Sequence, residues 1–280
     1  MPVEVIGELT AGLTPLIVLA FLIAGATIGV LAGLFGVGGG AISVPVFFET
    51  LRIMGATDEI AMPMAVGTSL AMVIPTAILS ARQHAAKGTV DMGVIRAWII
   101  PVLLGVVVGN AIASDAAPVV FQAVFVAVAG LLSIKMLIGS TNWKLRDTMP
   151  GRIGTGLYGA ALGVISTLMG IGGGAVSNLI LTLNGKTVHE AVSTSAGVGV
   201  IIAVPATAGY ILVGWGREGL PPDALGFVSL LALILTLPTA LLMTRFGVAQ
   251  AHRLPQKSLS RLFGVFLAVV CLRFLWAIVG

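Results

Sequence analysis

The residues best placed to do chemistry in this chain are two glycine clusters and the hydroxyl side chains beside them. Gly36-Val37-Gly38-Gly39-Gly40-Ala41-Ile42-Ser43 is matched 134 positions later by Gly170-Ile171-Gly172-Gly173-Gly174-Ala175-Val176-Ser177. Each cluster interrupts a hydrophobic segment. A glycine inside a helix costs about 1 kcal/mol relative to alanine, so a run of them predicts a helix that stops and restarts. The restarting helix presents unpaired N–H groups and the positive end of its dipole, which together attract an anion. Paired interruptions in the two halves of a membrane chain point to a transport site. No Gly-Lys-Ser/Thr follows either cluster at phosphate-loop spacing, which excludes a phosphate loop.

Hydrogen-bonding side chains stand next to these helix starts. They are Ser43 in the first half and Ser177 with Asn178 in the second. A second duplicated motif follows: Ala65-Val66-Gly67-Thr68-Ser69 parallels Ala191-Val192-Ser193-Thr194-Ser195. The candidate substrate site is therefore Gly38, Gly39, Gly40, Ser43, Thr68 and Ser69, with Gly172, Gly173, Gly174, Ser177, Asn178, Thr194 and Ser195. Pro75 and Pro205 lie further along the same segments and can kink them. The spacings Gly25/Gly29/Gly33, Gly105/Gly109 and Gly159/Gly163 read instead as close helix contacts.

Charged residues repeat the symmetry once. Arg52 and Lys186 are also 134 apart, each beyond its glycine tip. They either draw an anion into a vestibule or sit as helix-end bases facing the dipole and headgroups. Glu49 has Leu183 as its counterpart, so it stands outside the symmetric site and reads as a helix-end residue at the interface. His84 and His189 are titratable but fall at predicted helix ends, and His252 lies in a basic loop. Cys271, the single cysteine, sits in an apolar run and reads as a buried hydrophobe. The sequence shows no metal-ligand cluster, no nucleophile–base arrangement and no cofactor motif, so an enzyme is not expected. A basic face for nucleic acid is missing too.

The elements that position these residues must be membrane helices. The chain has 280 residues, 58% hydrophobic and 9% charged, with a mean hydropathy of +1.10. A soluble domain carries roughly 25% charged residues. Apolar runs predict spanning helices at 14–35, 60–81, 92–113, 117–139, 190–214, 223–244 and 259–279, with shorter pieces at 41–52, 154–169 and 175–184. The polar stretch 140–152 divides a first repeat, 1–139, from a second, 153–280. Acids stand where a signal peptide's basic region belongs, so the first hydrophobic segment reads as retained.

Charge counting selects the topology. Eight straight crossings distribute the Lys and Arg residues nine against six. If each glycine cluster is instead the tip of a hairpin, one side receives Arg82, Lys87, Arg96, Lys135, Lys144, Arg146, Arg152, Lys186, Arg245, Arg253, Lys257 and Arg261. The other side receives only Arg52, Arg217 and Arg273. Twelve against three is the bias expected of cytoplasmic loops. The expected fold is thus an all-α integral membrane protein of two inverted repeats, each a glycine-tipped hairpin plus three crossings, with both termini outside.

The duplicated tips, with Ala-Val-Gly-Thr-Ser and Ala-Val-Ser-Thr-Ser on the following helices, resemble those of the TauE/SafE sulfite exporter family over nearly the whole chain. The resemblance implies a multi-pass permease of the bacterial inner membrane for small sulfur-containing anions such as sulfite or sulfoacetate, working as an exporter. It carries the matching residues named above into the site. Ser193 in place of Gly67 and Asn178 in place of Val44 make that site asymmetric. A passive anion channel, a proton-coupled permease for another small organic anion, and a membrane scaffold are the rival readings. The expected partners are a small anion, the lipid bilayer and a second copy of the chain in a homodimer.

Overall fold

The structure is a computed structural model that describes residues 15–35, 39–86, 90–138, 145–251 and 253–279. Gly36, Val37, Gly38, Lys87, Lys144 and His252 lie outside the described residues, as does the side chain of His189. The first half contains α1 (Pro15–Phe35), α2 (Gly40–Ile53), α3 (Asp58–Ala86), α4 (Met92–Asp115) and α5 (Pro118–Ile138). The second contains α6 (Arg152–Met169), α7 (Gly174–Leu183), α8 (Val188–Val213), α9 (Leu230–Ala251) and α10 (Gln256–Val279). Seven of these helices are long and apolar enough to cross a membrane. Lipid offers no partner for backbone groups, and a helix pairs its own.

A two-stranded antiparallel hairpin, β1 (Ala224–Leu225) and β2 (Val228–Ser229), precedes α9. It corrects one expected boundary: the span read at 223–244 is a helix over Leu230–Ala251. Apolar residues run straight through the strands, so hydropathy hides the boundary. Local bonding sets it. Ser229 Oγ donates to Asp223 Oδ2 at 2.6 Å, and the backbone N–H of Leu231 donates to the same oxygen at 3.1 Å. Gly226 supplies the turn with φ +55°.

The two halves interlock. α1 packs along α9 of the other half, and α6 packs along α4 in the reciprocal contact. α3 lies against its equivalent α8, and α5 against its equivalent α10. This reciprocity is two-fold in character and compatible with inverted repeats. The small-residue rows make the close approaches. A Cβ added at Gly25 would lie 2.7 Å from the Thr236 carbonyl oxygen, and one at Gly29 would overlap the Ala240 carbonyl. On the reciprocal face a Cβ at Gly105 would overlap the Ala160 carbonyl, and one at Gly163 that of Val102.

Contacts between loops separate the two topologies. Lys186 Nζ lies 2.6 Å from Asp91 Oδ2, and Leu145 N–H donates to the Leu183 carbonyl at 2.8 Å. Those contacts bring the α3–α4 loop, the α7–α8 loop and the segment before α6 to one end. At the other end Arg217 pairs with Asp115, Arg273 with Glu49, and Arg52 with Asp58. Eight straight crossings would put Asp91 and Lys186 on opposite sides. Hairpins at the glycine tips put them together. Lys186, Asp91 and Arg146 gather at the first of these ends, the basic end.

The glycine rows give a direct test. Gly29→Val must displace the Ala240 backbone, and such overpacking costs about 1–3 kcal/mol. The variant's melting temperature is expected to fall by several degrees in detergent. Gly130→Ala, where an added Cβ meets nothing within 4 Å, is expected to leave it level.

Candidate functional site

Both tips lie in the interior and touch. Gly39 starts α2 with φ +83°, and Gly173 starts α7 with φ +75°. That left-handed conformation suits glycine. A Cβ at Gly40 would sit 3.0 Å from Ile171 Cα and 3.3 Å from the Gly170 carbonyl oxygen. The second tip threads between α3 and α8. A Cβ at Gly172 would overlap Val73, and one at Gly199 would lie 2.8 Å from the Gly172 carbonyl oxygen.

The first-half serines bind this junction together. Ser69 Oγ donates to the Gly170 carbonyl at 2.7 Å. Ser43 Oγ lies 2.6 Å from Ser69 Oγ, and both residues are buried. The Gly170 carbonyl, freed where α6 ends, thus receives a donor from the opposite repeat. Ser177 Oγ donates to the Gly173 carbonyl at 2.6 Å, one turn back on its own helix. Ser195 similarly donates to the Ala191 carbonyl at 2.6 Å.

Thr68 and Thr194 hold equivalent posts away from this junction. Thr68 Oγ1 accepts the Ser229 backbone N–H at 3.0 Å, and Thr194 Oγ1 accepts that of Asp91 at 3.0 Å. Each threonine ties its helix to the entry of a helix in the other half. Asn178 is half-exposed on α7. Gly39, Gly40, Ser43, Ser69, Gly172 and Gly173 are therefore brought together, with Gly174 and Ser177 just beyond on α7. Thr68, Thr194 and Ser195 serve backbone groups elsewhere.

Both helix starts lack a side-chain cap, since neither Gly39 nor Gly173 has a side chain. Ser177 N–H donates back to the Gly173 carbonyl at 2.8 Å. Among the described residues no acceptor meets the N–H groups of Gly174, Ala175 or Val176. Those donors and the α7 dipole leave positive potential beside the tip.

Residues 21–274 match the sulfite exporter TauE/SafE family. The chain belongs to that family. It is 28% identical to a protein of Haemophilus influenzae named a probable membrane transporter protein, over 91% of this chain and 97% of that one. It is also 28% identical to a protein of Methanocaldococcus jannaschii named a probable membrane transporter protein, over 89% of this chain and 92% of that one. No solved structure matches. This TauE/SafE member is a multi-pass membrane transporter and not an enzyme.

The two vestibule candidates of this transporter are each paired with a carboxylate. Arg52 Nε lies 2.7 Å from Asp58 Oδ1 and its guanidinium covers the Phe48 ring. Lys186 meets Asp91, the N-cap of α4, whose carboxylate also accepts from the N–H groups of Gly93 and Val94. Asp91 went unnoticed in the sequence, although an aspartate immediately before a long apolar run is an N-cap signal. His84 Nδ1 lies 3.0 Å from Ser193 Oγ. Ser166 and Thr167, in the last turn of α6, were also missed. Their signal was a Ser-Thr pair where the first repeat has Ala32-Gly33.

The Asp91–Lys186 pair predicts a pH dependence. The hydrogen bond from Lys186 is the main cause holding the Asp91 carboxyl below its ordinary value of 3.8. The same bond raises Lys186 above 10.5. The carboxylate's stabilisation is complete above 3.8 and lost as pH falls through the lowered value. The ammonium's is complete below 10.5 and lost as pH rises through the raised value. Asp91→Asn keeps a capping side chain but removes the charge. Its melting temperature is expected to lie below wild type by a constant amount from about pH 5 to about pH 9. The gap should narrow under acid conditions. A gap that widens below pH 5 would contradict the pairing.

Proposed function

We propose that this transporter exports small sulfur-containing anions, sulfite or a sulfonate such as sulfoacetate, across the bacterial inner membrane. The observation that supports it most is the start of α7, where three N–H groups at an interior glycine tip meet no acceptor among the described residues. A sulfur oxyanion is costly to desolvate and needs several donors at once. Uncapped N–H groups and a helix dipole supply them with no cation in the site. The family's description as sulfite exporters supports the substrate class. The basic end is the cytoplasmic one in this reading, by the excess of Lys and Arg. An anion leaving a negative interior then gains about 2.3 kcal/mol per charge for each 100 mV.

Alternating exposure follows from the interlocked halves. The junction Ser43–Ser69–Gly170 joins α2, α3 and the second tip, so rocking one half against the other moves access from one face of the tips to the other.

Reconstituted protein tests this directly. Proteoliposomes holding an inside-positive potential are expected to take up radiolabelled sulfite or sulfoacetate saturably, and faster than at zero potential. Folded protein that moves both anions no faster than protein-free vesicles would overturn the substrate class.

A further inference from the structure

The two hairpins carry the same motif but differ along the helix that follows it. On α2 the first residue and those one and two turns later are Gly40, Val44 and Phe48, all buried. The positions 134 further on are Gly174, Asn178 and Thr182 on α7, all half-exposed. Spaced by four, they share one helix face. A Cβ at Gly40 would press on Ile171, whereas one at Gly174 meets nothing within 4 Å. At its first residue α2 is thus closed by packing and α7 is open, although a Cβ at the preceding Gly173 would overlap Ile202.

The turn before each tip differs in the same sense. Ala32 in the first half is replaced by Ser166 in the second. A Cβ at Gly39 would be 3.9 Å from Ala32 Cβ, and one at Gly173 would be 3.6 Å from Ser166 Oγ. Ser166 therefore faces the start of α7. It is 0% exposed, and its hydroxyl has no hydrogen-bond partner. A buried hydroxyl without a partner costs about 1–3 kcal/mol, a penalty a bound ligand removes.

A cation stands at the far end of the α7 face. Lys135 Nζ on α5 reaches Thr182 Oγ1 at 3.5 Å. No described carboxylate pairs with Lys135, while Arg273 of the equivalent helix α10 is paired with Glu49 at 3.1 Å. One side of the protein has its basic residue neutralised, and the other leaves it bare beside a polar row.

We infer that the anion is loaded asymmetrically, along α7 from Lys135 past Thr182 and Asn178 to the N–H groups of Gly174 to Val176, where Ser166 Oγ donates to it. This rests on the anion-transport reading. The path is about 12 Å long, eight residues at the helical rise. A polar row half-exposed to lipid would be costly, so the row lines the route by which water and anion reach the tip. Lys135 attracts the anion, Asn178 offers its amide N–H₂ on the way, and Ser166 completes the donor set. The α2 face of the first hairpin holds the opposite side shut.

Two measurements test it. In sulfite uptake by proteoliposomes, Ser166→Ala and Asn178→Val are each expected to raise KM about tenfold, the loss of one hydrogen bond to a charged group. Lys135→Gln is expected to raise KM several-fold, leave the maximal rate and flatten the salt dependence of KM. Lys135→Arg should restore both, and Lys257→Gln, at the same end, should change neither. Wild-type KM in all three folded variants would overturn the path. The second measurement needs no substrate. With Cys271→Ser as background, Asn178→Cys is expected to react with a charged, impermeant thiol reagent from the basic end at least tenfold faster than Val44→Cys. Equal rates would overturn the path even if sulfite is carried. Fast labelling without sulfite uptake would uphold the path and overturn only the sulfur-anion substrate.

Discussion

Everything in this transporter depends on one constraint: a peptide group inside a membrane must find a hydrogen-bond partner within the protein. Two breaks in otherwise continuous helices violate the simplest solution. The protein meets the constraint by putting the breaks against each other. The Gly170 carbonyl takes the Ser69 hydroxyl, Ser177 turns back onto the Gly173 carbonyl, and Gly40 packs on Ile171. Among the described residues, the N–H groups of Gly174, Ala175 and Val176 at the start of α7 are left without an acceptor. The chemistry of the site is the residue of that accounting.

Interlocking follows from the same need for close approach. Hydrophobic burial does not distinguish one helix face from another when the solvent is itself apolar, so packing must. Gly25, Gly29 and Gly33 let α1 lie against backbone carbonyls of α9, and Gly105 and Gly163 do the same for α4 and α6. Because each contact joins opposite halves, neither half has its full set of partners alone. The threonine ties repeat the pattern: Thr68 holds the entry of α9 and Thr194 the entry of α4.

Much of this was legible beforehand. Composition required a membrane protein, duplication required two related halves, and the sorting of Lys and Arg favoured hairpins over straight crossings. The contact of Lys186 with Asp91 agrees with that sorting. The start of α9 was misplaced because hydropathy cannot see a two-residue strand pair inside an apolar run. The matching Thr-Ser motifs were read as one kind of residue with one role. In the fold Ser69 serves the tip junction, while Thr68, one position away, points to another helix. Neighbours on a helix differ by about 100° in direction, and a motif does not say which direction matters.

The sequence alone determined membrane residence, the two-fold repeat, the positions of both helix breaks and the positive dipole end that each break presents. Those follow from local quantities: transfer cost of each residue, glycine's poor helix propensity and the direction of the helix dipole. Tertiary structure alone decided which donors stay free. Ser43 and Ser177 look equivalent in the sequence, yet Ser43 meets Ser69 and Ser177 meets its own backbone. Ser166 looks unremarkable there, yet ends buried with no partner beside the start of α7. The reason is that hydrogen-bond satisfaction is a property of a neighbourhood assembled from distant segments, which spacing along the chain does not encode.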